Sequence, residues 1–183
     1  MPPRDEAIAL VREYTPNDRL VKHMLAVEAC MRHYARHFGE DEEFWGIAGL
    51  LHDFDYEKFP DEHPVKGSAI LRERGYSDDL IQTILSHYTE RTGVERATRA
   101  QKCLFACDEL TGFIVACALV KPGKSLAEVD ADSVKRKMKD KAFARAVNRE
   151  DFSKGAESLG LTLDLHIQHC IEAMQAIHAN LGL

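Results

Sequence analysis

An all-α fold is predicted for this 183-residue chain by two observations. Apolar residues return at alternating spacings of three and four along successive segments, the period of one buried helix face. No two segments alternate polar and apolar residues as neighbouring strands would. Hydrophobic residues make up 45% and charged residues 30%, an ordinary balance for a folding chain. A chain this long can bury a core without disulfides or structural metal, so one domain over residues 1–183 is expected.

The first strong period starts at Asp18, where Leu20, Met24, Val27, Met31, Tyr34 and Phe38 line one helix face that stops near Gly39. His23 falls on or beside that stripe, whereas His33 and His37 fall on the solvated back. A second helix begins at about Asp41, whose acid suits the helix dipole, and runs through Phe44, Ile47, Leu50 and Leu51 to His52-Asp53. The polar, proline-punctuated stretch 55–64 reads as a loop, so His63 stands at the mouth of the short helix that follows and closes at Gly75. Ser77 then caps a helix with Leu80, Ile81, Ile84 and Leu85 inward, and His87 keeps that register. From Thr98 an apolar helix runs toward Val120 and carries Asp108 among Cys103, Leu104, Phe105 and Cys107.

After Lys121-Pro122-Gly123, Ser125 to Glu128 has the spacing of a capping box, with a second start near Asp130 to Ser133. The basic run of Lys135, Arg136, Lys137, Lys139, Lys141 and Arg145 reads as a solvated helix face over residues 134–145. A last helix from Thr162 repeats Leu163, Ile167, Cys170, Met174, Ile177 and Leu181 and closes the core. Residues 118–125 fit a relaxed phosphate-loop pattern, but the parallel α/β context that such a loop needs is missing.

Charge and cysteine usage exclude several classes. A formal net charge of −6 repels long nucleic acid and anionic membranes alike. The five cysteines are odd in number, lie in apolar patterns and form no Cys-x-x-Cys pair, so they read as buried free thiols in a reducing compartment. No signal-peptide core follows Met1 and no apolar run reaches membrane length, and a cytoplasmic protein is expected.

The chemistry gathers at His23, His52-Asp53, His63, His87 and Asp108, each from a different helix or adjoining loop. Imidazole and carboxylate both bind divalent metals, and one carboxylate can give its two oxygens to two ions. Buried singly, these groups would be costly; a shared cation gathers them at lower cost.

The order His23, His52-Asp53, Asp108 resembles the signature of the HD superfamily of metal-dependent phosphohydrolases, over roughly residues 21–111. Residues 63–71, His-Pro-Val-Lys-Gly-Ser-Ala-Ile-Leu, and 87–91, His-Tyr-Thr-Glu-Arg, are similar to segments of its cyclic-dinucleotide phosphodiesterase branch. That branch's Gly-Tyr-Pro element does not follow Arg91, and Phe54-Asp55-Tyr56 stands in place of its usual Ile-Gly-Lys. The resemblance implies a helical domain with a metal site in its core, with residues 18–112 as the motif region and 113–183 completing the core.

It further implies that His23, His52, Asp53 and Asp108 hold one divalent ion, and that His63 and His87, with Asp53 bridging, hold a second. Fe, Mn, Zn, Ni and Mg all suit such ligands. Asp53 would orient a metal-bound hydroxide that attacks a small phosphomonoester or phosphodiester, nucleotides being among the candidates. Lys66 and Arg91 are candidate phosphate contacts, and Asp55 and Glu57 candidate partners that orient ligands. The same ligands leave open a di-iron oxygenase acting on a small polyol or phosphonate, and an idle metal-bearing sensor module. The apolar terminal helix faces are compatible with monomer or homodimer.

Overall fold

The computed structural model describes residues 2–183, and among these no strand occurs and no helix is long and apolar enough to cross a membrane. The chain is all-α. Its centre is the antiparallel-like pairing of α2 (Asp18–Phe38) with α3 (Glu42–Leu51), joined by a turn in which Gly39 takes a left-handed φ of 69°. Asn17 and Asp41 cap the two N-termini, each side-chain oxygen accepting main-chain N–H groups. The two axes approach closely because Gly49 faces α2: a Cβ there would stand 3.0 Å from the Glu28 backbone.

Around this pair are packed α1 (Arg4–Tyr14), against α3, and the long α7 (Arg99–Leu119), against α2. α5 (Asp78–Leu85) packs on α3 and α7, α4 (Val65–Glu73) packs on α5, and a short turn of helix, α6 (Thr89–Thr92), leads toward α7. The chain ends with α8 (Ala131–Met138), α9 (Arg149–Ser158), α10 (Leu163–Gln175) and α11 (His178–Leu181). α10 lies on both α2 and α7, so residues beyond the long helix share the core that Met24, Val27, Met31, Leu110, Ile167 and Met174 form.

Where boundaries differ from expectation, the reasons are local. Helix α1 carries only Ala7, Leu10 and Val11 inward, too few for a periodic signal; the bidentate pair of Arg4 with Glu28, at 2.6 and 2.8 Å, fixes it to α2. No capping box forms at Ser125, because Glu128 instead accepts from the Gly123 N–H; the box forms at Asp130 and Ser133. The basic stretch 134–145 is not one helix: α8 ends at Met138, and Lys139, Lys141 and Arg145 lie in turns. The last helix breaks after Gln175, leaving Leu181 to α11. All five cysteines are free and buried.

Candidate metal centre

Five elements meet at one place. His23 stands in the second turn of α2, and His52 caps the C-terminal end of α3 with Asp53 directly after it. His63 lies in the turn segment before α4, His87 in the 3-10 turn Ser86–Tyr88 after α5, and Asp108 in the middle of α7. The turn after Asp53 is anchored to α1: Thr15 donates its hydroxyl to the Phe54 carbonyl at 2.8 Å, and Tyr14 meets the Phe54 ring edge-on.

The six side chains form two groups of potential ligands that share one carboxylate. His23, His52, Asp53 and Asp108 make the first, and Asp53, His63 and His87 the second, with their ligand atoms mutually within 4.8 Å. Oδ2 of Asp53 faces the first group, 3.5 Å from His52 Nε2 and 3.8 Å from His23 Nε2. Its Oδ1 faces the second, 3.3 Å from His63 Nε2 and 3.6 Å from His87 Nε2. Asp108 Oδ1 completes the first group at 3.0 Å from His23 Nε2 and 3.4 Å from His52 Nε2.

The main chain and second carboxylates set which nitrogen each ring presents. His52 donates its Nδ1 proton to the Gly49 carbonyl at 2.8 Å, His87 donates to Ile84 at 2.5 Å, and His63 donates to Asp55 at 2.7 Å. His23 turns Nδ1 toward the Thr111 hydroxyl at 3.5 Å. His52, His63 and His87 therefore carry a proton on Nδ1 and turn Nε2 inward, the nitrogen left for a metal, and His23 turns its Nε2 to Asp108 Oδ1 at 3.0 Å. Asp55 is itself buried and pinned, its other oxygen accepting from the Gly67 N–H at 2.6 Å. Only glycine allows that approach, since a Cβ on Gly67 would stand 2.5 Å from the Asp55 carboxyl carbon.

The fit to a divalent cation is tested by the nitrogen of His52. Its Nε2 is buried and has no hydrogen-bond partner, although two carboxylates lie within 3.5 Å. Burial disfavours a charged imidazole there, yet Asp53 and Asp108 outweigh burial and raise the pKa of His52 well above its ordinary value. The two acids answer in kind. Burial works against their charge, but His52 above all holds both pKa values far below the usual carboxylate range. A positive charge is thus demanded at this point, and the ligand types suit a borderline divalent metal.

The groups open on a cleft of about 650 Å³. Tyr56, Tyr88 and Phe105 supply aromatic walls, and Glu90, Glu109 and Asp151 make the lining acidic beyond the metal groups. Burial and then the neighbouring Asp108 raise the pKa of Glu109. Neither Lys66 nor Arg91 lines this cleft. The Lys66 ammonium lies 5.7 Å from the Phe59 ring centroid, and Arg91 donates to the carbonyls of Pro60 and His63. Glu57 meets no ligand; it accepts from the Asn17 N–H at 3.0 Å, at the start of α2.

The cation that does line the cleft is Arg96, which the sequence reading missed. Its guanidinium lies 3.8 Å from the Phe105 ring centroid and donates to the Ser86 carbonyl at 3.0 Å. No spacing signal marks it, because only the fold of residues 86–105 brings the two together.

Fold and geometry together define an all-α protein with a His/Asp centre fit for divalent metal. A family model described as HD domain matches residues 20–112, more than half of the chain, and the chain belongs to the HD domain family. That membership points to metal-dependent hydrolase activity in general.

Proposed function

We propose that this chain is a binuclear metal-dependent phosphohydrolase acting on a small phosphate ester, with His23, His52, Asp53 and Asp108 holding one cation and Asp53, His63 and His87 the other. The observation that carries this reading is Asp53, which turns one oxygen to each group of histidines. When bound, the two cations supply a water acidic enough to attack near neutral pH, together with positive charge for phosphoryl oxygens.

The chain's own residues do the rest. Asp53 fixes the spacing of the pair and orients the attacking water. Asp55, through His63, keeps the second group's lone pairs aimed. Arg96 is the residue that meets a non-reacting oxygen of the ester, and Tyr88 and Phe105 receive its organic part. The acidic lining turns away polyanions without a cation to neutralise them, which favours a small substrate over long nucleic acid. Residues 113–183 complete the same domain, a reading supported by the packing of α10 on α2 and α7.

A panel of phosphomonoesters and phosphodiesters, run with Mn, Fe, Zn, Ni or Mg, tests the proposal. Turnover of at least one ester should disappear together with bound metal in Asp53→Ala and His52→Ala. If both variants keep metal and full turnover, the reading is wrong. If the iron-loaded protein consumes dioxygen and hydrolyses no ester, the chain is an oxygenase.

A further inference from the structure

We infer that the chain carries a second, separate site for a divalent transition metal, built from His33 and His169 with Glu172, which clasps α10 to α2. His33 lies ten residues beyond His23 on α2, about 15 Å along the axis at 1.5 Å per residue. The two sites therefore share no ligand.

The ligand atoms of His33, His169 and Glu172 lie mutually within 4.8 Å. His33 Nε2 meets His169 Nδ1 at 2.9 Å, so at least one of the two rings must be neutral. Tetrahedral coordination at about 2.0–2.1 Å sets ligand nitrogens roughly 3.3 Å apart, so a few tenths of an ångström of ring movement admits a cation. Gln168 donates to Glu172 at 3.0 Å and holds its carboxylate on the same face of α10. His37, one turn along α2 from His33, has its ring centroid 4.9 Å from that of His169 and lies outside the three-ligand group.

One feature sets this group apart from an ordinary surface cluster. His169 hydrogen-bonds only to the His33 imidazole, through Nδ1, and its Nε2 is buried without a partner, so no carbonyl or carboxylate fixes the protons of the pair. One carboxylate against a dication leaves a single net positive charge at a half-exposed position, which water tolerates. Two imidazoles and a carboxylate, with water completing the shell, favour Zn, Co, Ni or Cu over Mg and Ca.

The test is titration of the full-length protein with Co(II), read by its visible d–d absorption and by equilibrium dialysis with Zn(II). Wild type is expected to bind one more ion than His33→Gln, and Glu172→Gln should weaken that ion about 10-fold or more. Asp53→Ala, which disables the first centre, should keep the band, so failure of the hydrolase reading and failure of this one are told apart. Both Gln changes lie at the helix surface, and unchanged circular dichroism will show that they fold. A folded His33→Gln with the same ion count and band as wild type overturns the inference. So does an Asp53→Ala protein that binds no Co(II).

Discussion

Asp55 accepts the Nδ1 proton of His63 at 2.7 Å, and both side chains are buried. The other carboxylate oxygen is held by the N–H of Gly67, so a potential ligand from the 55–64 turn segment is tied through Asp55 to the first turn of α4. This relay fixes the ring more firmly than a loop position alone would. It also separates the second group of ligands from the first, which has no contact with Asp55.

Removing the relay should therefore affect one cation and not both. Asp55→Ala is expected to weaken the ion at His63 and His87 by about 10–100-fold, the usual scale for loss of a ligand's orienting partner. In a His33→Gln background, where the α2/α10 ion is not counted, elemental analysis after dialysis should give close to one ion per chain in place of two. Gly67→Ala should do the same, because its methyl group displaces the Asp55 carboxylate. Two tightly held ions in both variants would refute the relay.

Asp53 should behave differently, since each oxygen serves a different group. Asp53→Ala is expected to lose both ions of this centre and to lower ester turnover by about three orders of magnitude or more, as expected when metal-ion catalysis is removed. The replacement also empties space beside a buried His52. Inductively coupled plasma measurements on Asp53→Ala combined with His33→Gln, which removes the separate α2/α10 ion from the count, would show with a single retained ion that Asp53 does not bridge.

Metal removal should destabilise the fold, because the ligands come from α2, α3, α5's following turn and α7. A cation present at about 100 times its dissociation constant adds about 2.7 kcal/mol. For a chain of this size that corresponds to a melting-temperature difference of roughly 5–10 °C between metal-loaded and chelated protein. Calorimetry that found no difference would remove the cations from the fold's energetics.

His166 gives a pH dependence that is independent of the centre. It is buried, donates Nε2–H to the Ala106 carbonyl at 2.9 Å and accepts at Nδ1 from the Tyr34 hydroxyl at 2.6 Å. Burial lowers its folded-state pKa, so below an unfolded value of about 6.5 the unfolded chain holds the extra proton. The stability it contributes is complete above that value and is lost as pH falls through the folded-state pKa. Urea midpoints at pH 7.5 and pH 5 should differ more for wild type than for His166→Asn. Equal losses in the two proteins would assign the acid sensitivity elsewhere.

How much of this was legible in the sequence depended on whether a feature is local. The ends of α2, α3, α5 and α7 were readable because Asp41, Ser77, Thr98 and Gly39 act within a few residues of themselves. Helix α9 was not, since its buried side is Phe152, Gly155 and Ala156, and two small residues leave no apolar period. The six potential ligands stood out by residue type and order. The roles of the basic side chains did not: the contacts of Arg91 lie 28 and 31 residues away in sequence, and those of His33 with His169 lie 136 away. Such pairings exist only once the helices have packed.

The acidic lining of the cleft has a consequence for the order of events. Glu90, Glu109 and Asp151 surround the entrance to a centre that already holds Asp53 and Asp108, against the single guanidinium of Arg96. Until cations arrive, a phosphate approaching that mouth meets repulsion at every step. If the proposed ester hydrolysis is the reaction, metal loading comes before substrate capture, and the supply of free metal rather than of ester sets how many molecules are ready to turn over.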